Sequence, residues 1–447
     1  MESLVLISCS LMLLFLIFIL GRLKYNRYDI LDLHVVMVGL FFGGYGLIDA
    51  LFGNVITQNP YIILISYLHV ILVISCLYIF SGMLPKAIRE FMQFRALIRH
   101  FADVNINTVL ILSVFCLAID GYILVSYGLL TYVGDELYAL NVSVPNWVGP
   151  IKNLNWNFRF SLLILIINLF NHNKVKFLSI YGLLIIPMVA LQFVEGRRAL
   201  IELIVICFIL WTVYRNSSPY LLRRAPLISL MLVLLLTSSN IFQNYRSSLF
   251  SMTALAGTGA ELVSFTDAAL DSEASLENLS KRTPMWKLNY KIFENQLIEP
   301  ANIHAGYMMW RQILNAMPGF LLQDKEIIAS EELTSQIYDM GELESAYGSD
   351  DFPTNDFASY QTDFGVFSIV FIPLVFYLII YIGFLSLTQV RNKVVSSIVI
   401  LFCIQYFMKI ENGYDLPILL RNVILIFSVY AVIQSTKIIF PYKKSVR

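Results

Sequence analysis

Long apolar runs alternate with short polar segments along most of the chain. A helix needs about 20 apolar residues to cross a bilayer core about 30 Å thick, and eleven runs approach that length. They are residues 3–21, 34–52, 61–83, 105–127, 156–170, 177–194, 199–214, 226–242, 364–388, 395–410 and 416–434. The pattern predicts an all-α polytopic membrane protein with about 11 transmembrane helices, the first of them a retained span.

The distribution of lysine and arginine predicts the orientation of these spans. Counted from an external N-terminus, the inner loops and the C-terminal tail hold 18 basic residues, and the short outer loops hold three, Lys152, Arg197 and Arg198. Because basic loops remain on the cytoplasmic side, we expect the N-terminus outside and the C-terminus inside.

The loops divide the chain into three parts. Residues 243–363 form the longest polar segment, with 18 acidic and 7 basic residues and with aromatic and aliphatic clusters at helical spacing. They predict a large, mostly helical extracytoplasmic cap. Residues 1–242 would form an N-terminal bundle of about eight spans, and residues 364–447 about three spans and a cytoplasmic tail.

A shorter inner segment, residues 84–104, also has helical periodicity. Phe91, Phe94, Ile98 and Phe101 recur beside basic residues. The segment is typical of a basic amphipathic helix on the cytoplasmic lipid surface, and a solvated connector between helices is the alternative.

Composition supports a membrane protein and excludes several functions. Of the 447 residues, 58% are hydrophobic and 14% charged, with a mean hydropathy of +0.71, whereas a soluble domain has about 25% charged residues. The net charge is zero, which excludes binding of nucleic acid through bulk positive charge. The five cysteines lie in apolar runs without CxxC spacing, so neither a disulfide scaffold nor a zinc site is expected. GxxxxGK[ST], HExxH and GxSxG motifs are absent, and we expect no cofactor and no metal.

Ionisable residues within the runs are costly in lipid and mark candidate functional positions. In the predicted topology seven ionisable residues in or beside the runs map to the outer half of the membrane, and His69 lies near the middle. The outer set is Asp49, Asp120, Glu202, Lys409, Glu411, Asp415 and Arg421. Their shared depth predicts a polar cavity that opens beneath the cap, although each one alone is also explained by a side chain that reaches to the interface.

Arginines on the outer side suggest recognition of an anion. Arg197 and Arg198 occupy a hairpin between two runs, Arg246 follows the eighth run, Arg311 lies in the cap and Arg421 near the start of the last run. A guanidinium group matches phosphate oxygens in bidentate fashion. The cluster suits an anionic, lipid-linked headgroup, and ion pairing with cap carboxylates is the alternative.

Three residues are candidates for a general base. His304 is the only histidine of the outer loops, and Asp356 and Asp363 are seven residues apart, on one face if that segment is helical. A neutral imidazole or a desolvated carboxylate accepts a proton at neutral pH. Hydrogen bonding within the cap would also explain His304, and capping of a helix N-terminus would explain Asp363.

These motifs resemble those of a known family. The hairpin Gly196-Arg197-Arg198-Ala199-Leu200-Ile201, the arginines that follow it, and the approach to the next span from Asn355 to Gly365 resemble the Wzy-type O-antigen and repeat-unit polysaccharide polymerases of bacteria, in particular the enterobacterial-common-antigen polymerase branch. The family's wider Arg–Gly spacing in the large loop is not met, because Gly319 follows Arg311 by eight residues.

The resemblance implies a metal-independent, membrane-embedded glycosyltransferase with a GT-C-like bundle in the bacterial inner membrane, its site facing the periplasm. Its substrate would be an oligosaccharide on undecaprenyl diphosphate, and a flippase and a chain-length regulator would be partners. The arginines would stabilise the diphosphate leaving group, and His304, Asp363 or Asp356 would take the proton of the acceptor hydroxyl.

Three other functions remain open. An O-antigen ligase has a similar plan. A flippase or exporter of lipid-linked glycans needs polar groups in both halves of the membrane, whereas the sequence places them mainly in the outer half. A receptor or assembly protein would explain the cap but not the arginines beneath it.

Overall fold

A computed structural model describes residues 28–44, 59–127, 145, 147–171, 178–194, 202–203, 206, 285–298, 303, 305–317, 355–409 and 416–439. Within these ranges the secondary structure is helical, and strand pairing is limited to an isolated bridge between Asp29 and Gln93. The prediction of an all-α protein is confirmed for this part of the chain.

The helices are numbered here in chain order. Helix α1 is continued by a π-helix, Gly39–Gly44, and a short 3-10 helix, Gly365–Phe367, separates α10 from α11. The bounds are α1 Ile30–Val38, α2 Pro60–Met83, α3 Lys86–Met92, α4 Phe94–Ala102, α5 Ile106–Tyr127, α6 Val148–Asn171, α7 Leu178–Val194, α8 Met285–Ile298, α9 Tyr307–Ala316, α10 Asp356–Phe364, α11 Ser368–Gln389, α12 Lys393–Met408 and α13 Leu416–Ile439.

Three helical stretches of the described part are long and apolar enough to cross a membrane. They are Pro60–Met83, Ile106–Ile123 and, within Asp356–Gln389, the apolar helix Ser368–Gln389. Shorter apolar helices cover Ile30–Gly43, Lys393–Met408 and Leu416–Ala431. The chain therefore has the helices of a membrane protein.

The predicted number of about eleven spans is not met by these helices. Helices α7 and α12 have 17 and 16 residues, fewer than the roughly 20 that a span needs. Helix α6 has 24 residues but carries Lys152 and Arg159 together with several asparagines. The runs 3–21 and 226–242, and most of 199–214, lie outside the described residues.

The spanning helices expose apolar side chains along one face. On α11 the exposed residues Leu374, Leu378, Tyr381 and Leu385 recur at intervals of three and four, which places them on one side of a helix. Such a long apolar stripe is unusual on a soluble protein, and it is the surface that a lipid bilayer would cover.

Helix α12 lies in the centre of the bundle. All its residues from Ile398 to Met408 are buried, and it contacts α1, α4, α6, α11 and α13. A helix that is buried all round needs apolar residues on every side, and its sequence, IVILFCIQYFM over this stretch, has that composition with Gln405 as an exception.

Helices α3 and α4, here called the connector, close one end of the bundle. The rings of Phe91 and Phe384 lie 5.9 Å apart, Phe94 and Phe101 are fully buried, and α4 contacts α6 and α12. The predicted amphipathic helix on the lipid surface is therefore wrong, because its apolar face packs against the protein. Arg95 and Arg99 remain exposed on the other face.

The opposite end of α2 begins at Asn59, and we call this the Asn59 end of the bundle. The backbone N–H of Asn59 donates to the hydroxyl of Tyr290 on α8 at 3.0 Å. Helices α8 and α9 come from the predicted cap segment 243–363, and they contact α2, α10 and α13. The described parts of the predicted cap are thus helical and lie against the bundle.

Candidate functional site

Helix α10 turns back into the bundle instead of extending α11. The ring of His34 lies 6.0 Å from the ring of Phe357 and 4.5 Å from that of Phe376. In one straight helix, residues 357 and 376 would be about 28 Å apart, too far to contact the same ring. The chain therefore reverses between α10 and α11, and Phe357 in the first turn of α10 is buried against rings of α1 and α2.

The local sequence explains where this helix starts and stops. The Asn355 side chain accepts a hydrogen bond from the Ala358 N–H at 2.8 Å, which caps the N-terminus, and Asp356 in the first turn complements the helix dipole. Gly365 ends the helix with a φ of +55°, a conformation that favours glycine. A Cβ at Gly365 would lie 2.8 Å from Cδ1 of Ile303.

The predicted helix that carries Asp356 and Asp363 is confirmed, and Asp363 makes the helix-capping contact that was the alternative to a general base. Its Oδ2 accepts a hydrogen bond from the backbone N–H of Met309 at 2.9 Å. Met309 lies in the first turn of α9, whose own N-cap, Gly306, provides no side-chain hydrogen bond. Asp363 therefore caps α9 from the neighbouring helix, and it is fully buried there.

The hydrogen bond between Asp363 and Met309 places an arginine beside α10, which we call the re-entrant helix because it turns back into the bundle. Arg311 follows Met309 by two residues and is 4% exposed, and α9 contacts both α10 and α13. Helix α13 carries Arg421, whose Nε and Nη2 lie 3.5 Å from Oδ1 of Asn422. The structure thus brings Asp356, Asp363 and Arg311 onto two contacting helices, with Arg421 on a third.

The other predicted site residues cannot be placed in this geometry. Arg197, Arg198, Arg246 and His304 lie outside the described residues. Their roles stay predictions.

A chain of polar side chains ties α10 to its neighbours. His69 Nε2 lies 2.7 Å from Ser368 Oγ, and Ser368 donates its hydroxyl hydrogen to Gln361 Oε1 at 2.8 Å or to the Gly365 carbonyl at 2.6 Å. With its hydrogen donated to either oxygen, Ser368 accepts from His69, whose proton then lies on Nε2. Gln361 and Gln296 then join α10 to α8 through two hydrogen bonds of 2.8 and 2.9 Å.

Asp120 is paired with Arg159, a contact that the sequence did not indicate. Arg159 Nη1 lies 2.6 Å from Asp120 Oδ2, and Asn155 donates to Oδ1 of the same carboxylate at 2.8 Å. Arg159 is fully buried. The prediction that Asp120 lines an open cavity is therefore wrong, because its charge is neutralised within the bundle by a residue of the next helix.

Lys409, another residue of the predicted outer set, ends α12. Its Nζ lies 4.6 Å from the centre of the Trp156 ring, and the residue is buried. A cation over an indole face is favourable, so part of the cost of burying this ammonium is offset by the ring.

Two buried polar residues near the connector were missed in the sequence. Asp32 completes a capping box with Asp29 at the start of α1 and accepts a hydrogen bond from Tyr78 at 2.7 Å. His34 Nδ1 lies 3.0 Å from the carbonyl oxygen of Phe407. Both are fully buried. Buried polar groups therefore extend from the connector along α1 to the re-entrant helix, and they are not confined to the Asn59 end. The capping motif, Asp29 followed by Asp32 before an apolar run, is the signal that would have revealed the start of α1.

The arrangement offers both groups that a group transfer from a phosphorylated donor requires. Arginines are fixed donors for a phosphate oxygen, and carboxylates are proton acceptors when they are ionised. Comparison of the chain with protein-family models, with curated proteins and with solved structures gives no match.

Proposed function

We propose that this protein is a membrane-embedded glycosyltransferase that polymerises a surface polysaccharide. The single observation that carries this proposal is the placement of Arg311, Asp356 and Asp363 on two contacting helices, α9 and the re-entrant α10. The resemblance of the Gly196–Ile201 hairpin and of the segment Asn355–Gly365 to O-antigen polymerases supports the same function.

The reaction joins a growing glycan to the next lipid-linked repeat. The acceptor hydroxyl oxygen attacks the anomeric carbon of the donor sugar, and the bond from that carbon to the diphosphate oxygen breaks. Undecaprenyl diphosphate leaves with the bonding electron pair, and the hydroxyl proton passes to a general base. The site would face the periplasm from the bacterial inner membrane, and the flippase and chain-length regulator would be its partners.

The arginines have the role of stabilising the leaving group. Charge grows on the bridging oxygen as the anomeric bond breaks, and fixed donors aimed at that oxygen lower the barrier. Arg311 and Arg421 are the described members of this clamp, together with Arg197, Arg198 and Arg246 from the sequence.

The candidate bases now differ in what they contact. Asp363 accepts the Met309 N–H, which favours a role in positioning α9 and hence Arg311. Asp356, in the buried first turn of α10, and His304 are then the candidates for the proton acceptor, with His304 known only from the sequence.

A deletion experiment tests the proposed function. Cells that lack the gene should carry surface glycan of a single repeat, visible on a gel as loss of the ladder. Unattached polymer would indicate a ligase instead. Full-length glycan in the deletion strain would overturn both.

A matched pair of variants tests the clamp. Arg311→Ala should shorten the polymer, because loss of one transition-state donor lowers the rate about 10²–10³-fold, and Arg311→Lys should rescue only part, since it keeps the charge but not the fork. Arg95→Ala, on the exposed face of the connector, should leave polymer length unchanged. Wild-type polymer from a well-expressed Arg311→Ala protein would remove this arginine from the clamp.

A flippase or exporter of the same lipid-linked glycans is the second candidate. The observation in its favour is the line of buried polar residues Asp32, His34 and His69, which runs from the connector to α10. The capping box of Asp32 and the His34–Phe407 bond give these groups a structural use, which is why we rank the polymerase first. Complete loss of surface glycan in the deletion strain would reverse this order.

A further inference from the structure

A small cleft lies between α6, α12 and α13, apart from the α9–α10 site. Its polar lining residues are Asn157, Gln405, Tyr406, Lys409 and Asn422. The half-open cleft has a volume of about 20 Å³, enough for one water molecule or one hydroxyl group. Of these residues, Lys409 belongs to the outer set that was identified in the sequence.

Gln405 is the unusual member of the lining. It is 1% exposed, and neither its Oε1 nor its Nε2 has a hydrogen-bond partner in the described part of the chain. Trp156, whose ring lies beneath Lys409, likewise has an indole N–H without a partner there. Buried amides are normally satisfied, so the unmatched donor and acceptor of Gln405 call for a partner outside the described residues, which a bound group would supply.

The chemistry of the missing group follows from the amide. Oε1 needs a donor and Nε2 needs an acceptor, and this holds whichever way the amide is turned. An ionised phosphate diester offers only acceptors and an ammonium only donors, whereas a hydroxyl group offers both. The cleft therefore matches a hydroxyl-bearing ligand better than a charged headgroup.

We propose that this cleft binds the hydroxyl edge of a sugar ring, with Gln405 as the residue that recognises it. This inference rests on the proposed function, in which the substrate is a glycan. The neighbouring residue of Asn422 is Arg421, a member of the proposed diphosphate clamp, so the cleft lies beside the position where the sugar–diphosphate bond would be held. Ordered water is the competing occupant, because a water molecule also donates and accepts.

The binding test uses simple glycosides on the full-length protein in lipid nanodiscs. Methyl glucoside, methyl galactoside and methyl N-acetylglucosaminide are offered at millimolar concentration, and saturation-transfer NMR reports which of them binds. Gln405→Leu and Gln405→Met should each weaken binding of the responding glycoside at least about tenfold, because both hydrogen bonds are lost. Inorganic phosphate should not displace the glycoside.

Ser397→Ala is the matched control. Ser397 lies two helical turns before Gln405 on the same helix, is buried, and has an Oγ without a hydrogen-bond partner in the described residues. This variant should bind the glycoside like the wild type. If no glycoside binds, or if binding is equal in the wild type and in folded Gln405→Leu and Gln405→Met, the cleft holds water and the inference is wrong.

The cell-based measurements separate this inference from the proposed function. In one outcome the deletion strain makes single repeats, and the Gln405 variants show wild-type polymer and wild-type glycoside binding. The proposed polymerase function would then stand, and the proposal of a sugar site in the cleft would be wrong. In the opposite outcome the deletion strain has an unchanged ladder, and glycoside binding depends on Gln405. The proposed polymerase function would then be wrong, and the cleft would remain a sugar site.

Discussion

At the connector end of the bundle, α3 and α4 pack apolar rings inward and hold basic side chains in solvent, whereas at the Asn59 end polar side chains are inside. The buried set there includes Asp363, Arg311 and the Asp120–Arg159 pair. Helices α3 and α4 have the distribution that stability favours, while the buried Asp32 and His34 beside them are held by hydrogen bonds. The Asn59 end carries buried charge that is costly in an apolar environment, and such cost is typical of sites that are kept for function.

The contrast is sharpest between two ion pairs of similar length. Arg159–Asp120 is 2.6 Å long with side chains 0% and 8% exposed, and Lys393–Asp103 is 2.8 Å long with side chains 51% and 58% exposed. Arg159→Met should lower the free energy of unfolding by about 3–5 kcal/mol, because it strands a buried carboxylate. Lys393→Met should change it by about 1 kcal/mol or less.

Thermal unfolding in detergent, followed by loss of the native size-exclusion peak, measures both variants. The double variant Arg159→Met/Asp120→Asn should recover part of the loss, since the stranded charge is removed. Equal effects of Arg159→Met and Lys393→Met would show that burial does not distinguish the two ends.

Substitution of Gly365, at the turn between α10 and α11, is expected to have the next largest effect on the free energy of unfolding. Gly365→Ala should destabilise the protein by about 1–3 kcal/mol, because alanine disfavours a positive φ and its Cβ would lie 2.8 Å from Ile303. Gly82→Ala, in α2 with open space around the new methyl group, should be neutral or stabilising by less than about 1 kcal/mol. If Gly365→Ala unfolds like the wild type, the reversal between α10 and α11 does not depend on this conformation.

Asp363 tests whether the Asn59 end uses its carboxylates for chemistry or for positioning. Asp363→Ala should cost about 0.5–2 kcal/mol, the usual value of an N-cap, and should shorten the polymer because α9 and Arg311 shift. Asp363→Asn keeps an acceptor oxygen for the Met309 N–H and should polymerise nearly normally. Inactivity of a well-folded Asp363→Asn protein would instead identify Asp363 as the base.

The smallest effect is expected at the connector, from His100. Burial and the nearby ammonium of Lys393 lower the pKa of His100, and Asp103 opposes them with a smaller effect. As the pH falls below about 6.5, the unfolded chain takes up a proton before the folded protein does. Stability is therefore lost on acidification, and His100→Gln should make the decline between pH 7 and pH 5 shallower. A steeper decline would mean that the imidazolium form is stabilised in the folded state.

The sequence predicted the helices better than it predicted their environment. Helical periodicity and hydropathy identified α2, α5 and α11, because a long apolar run leaves few alternatives to a helix in lipid. The same periodicity placed Asp356 and Asp363 on one helix. It could not show that Gly365 reverses the chain, since a glycine before an apolar run is equally compatible with a straight continuation.

Pairing between distant residues was beyond the sequence. Asp120 and Arg159 are 39 residues apart in the sequence and lie on two different helices, α5 and α6. In the sequence, each of them looks like an unpaired polar residue in a span. The prediction that the connector lies on the lipid surface was wrong for a related reason. An amphipathic face predicts burial against something apolar, but protein and lipid satisfy that requirement equally, and only the packing of Phe91 on Phe384 decided between them.

The reversal at Gly365 also has a consequence for biogenesis. Helix α10 has nine residues, two of them aspartates, too short and too polar to enter the bilayer as an independent span. Asn355 caps α10, Gln296 is hydrogen-bonded to it, and the Met309 N–H donates to its residue Asp363. These three partners lie outside the long apolar helices. We expect helix α10 to take its place after α2 and α11 have been inserted, because it packs against side chains of both.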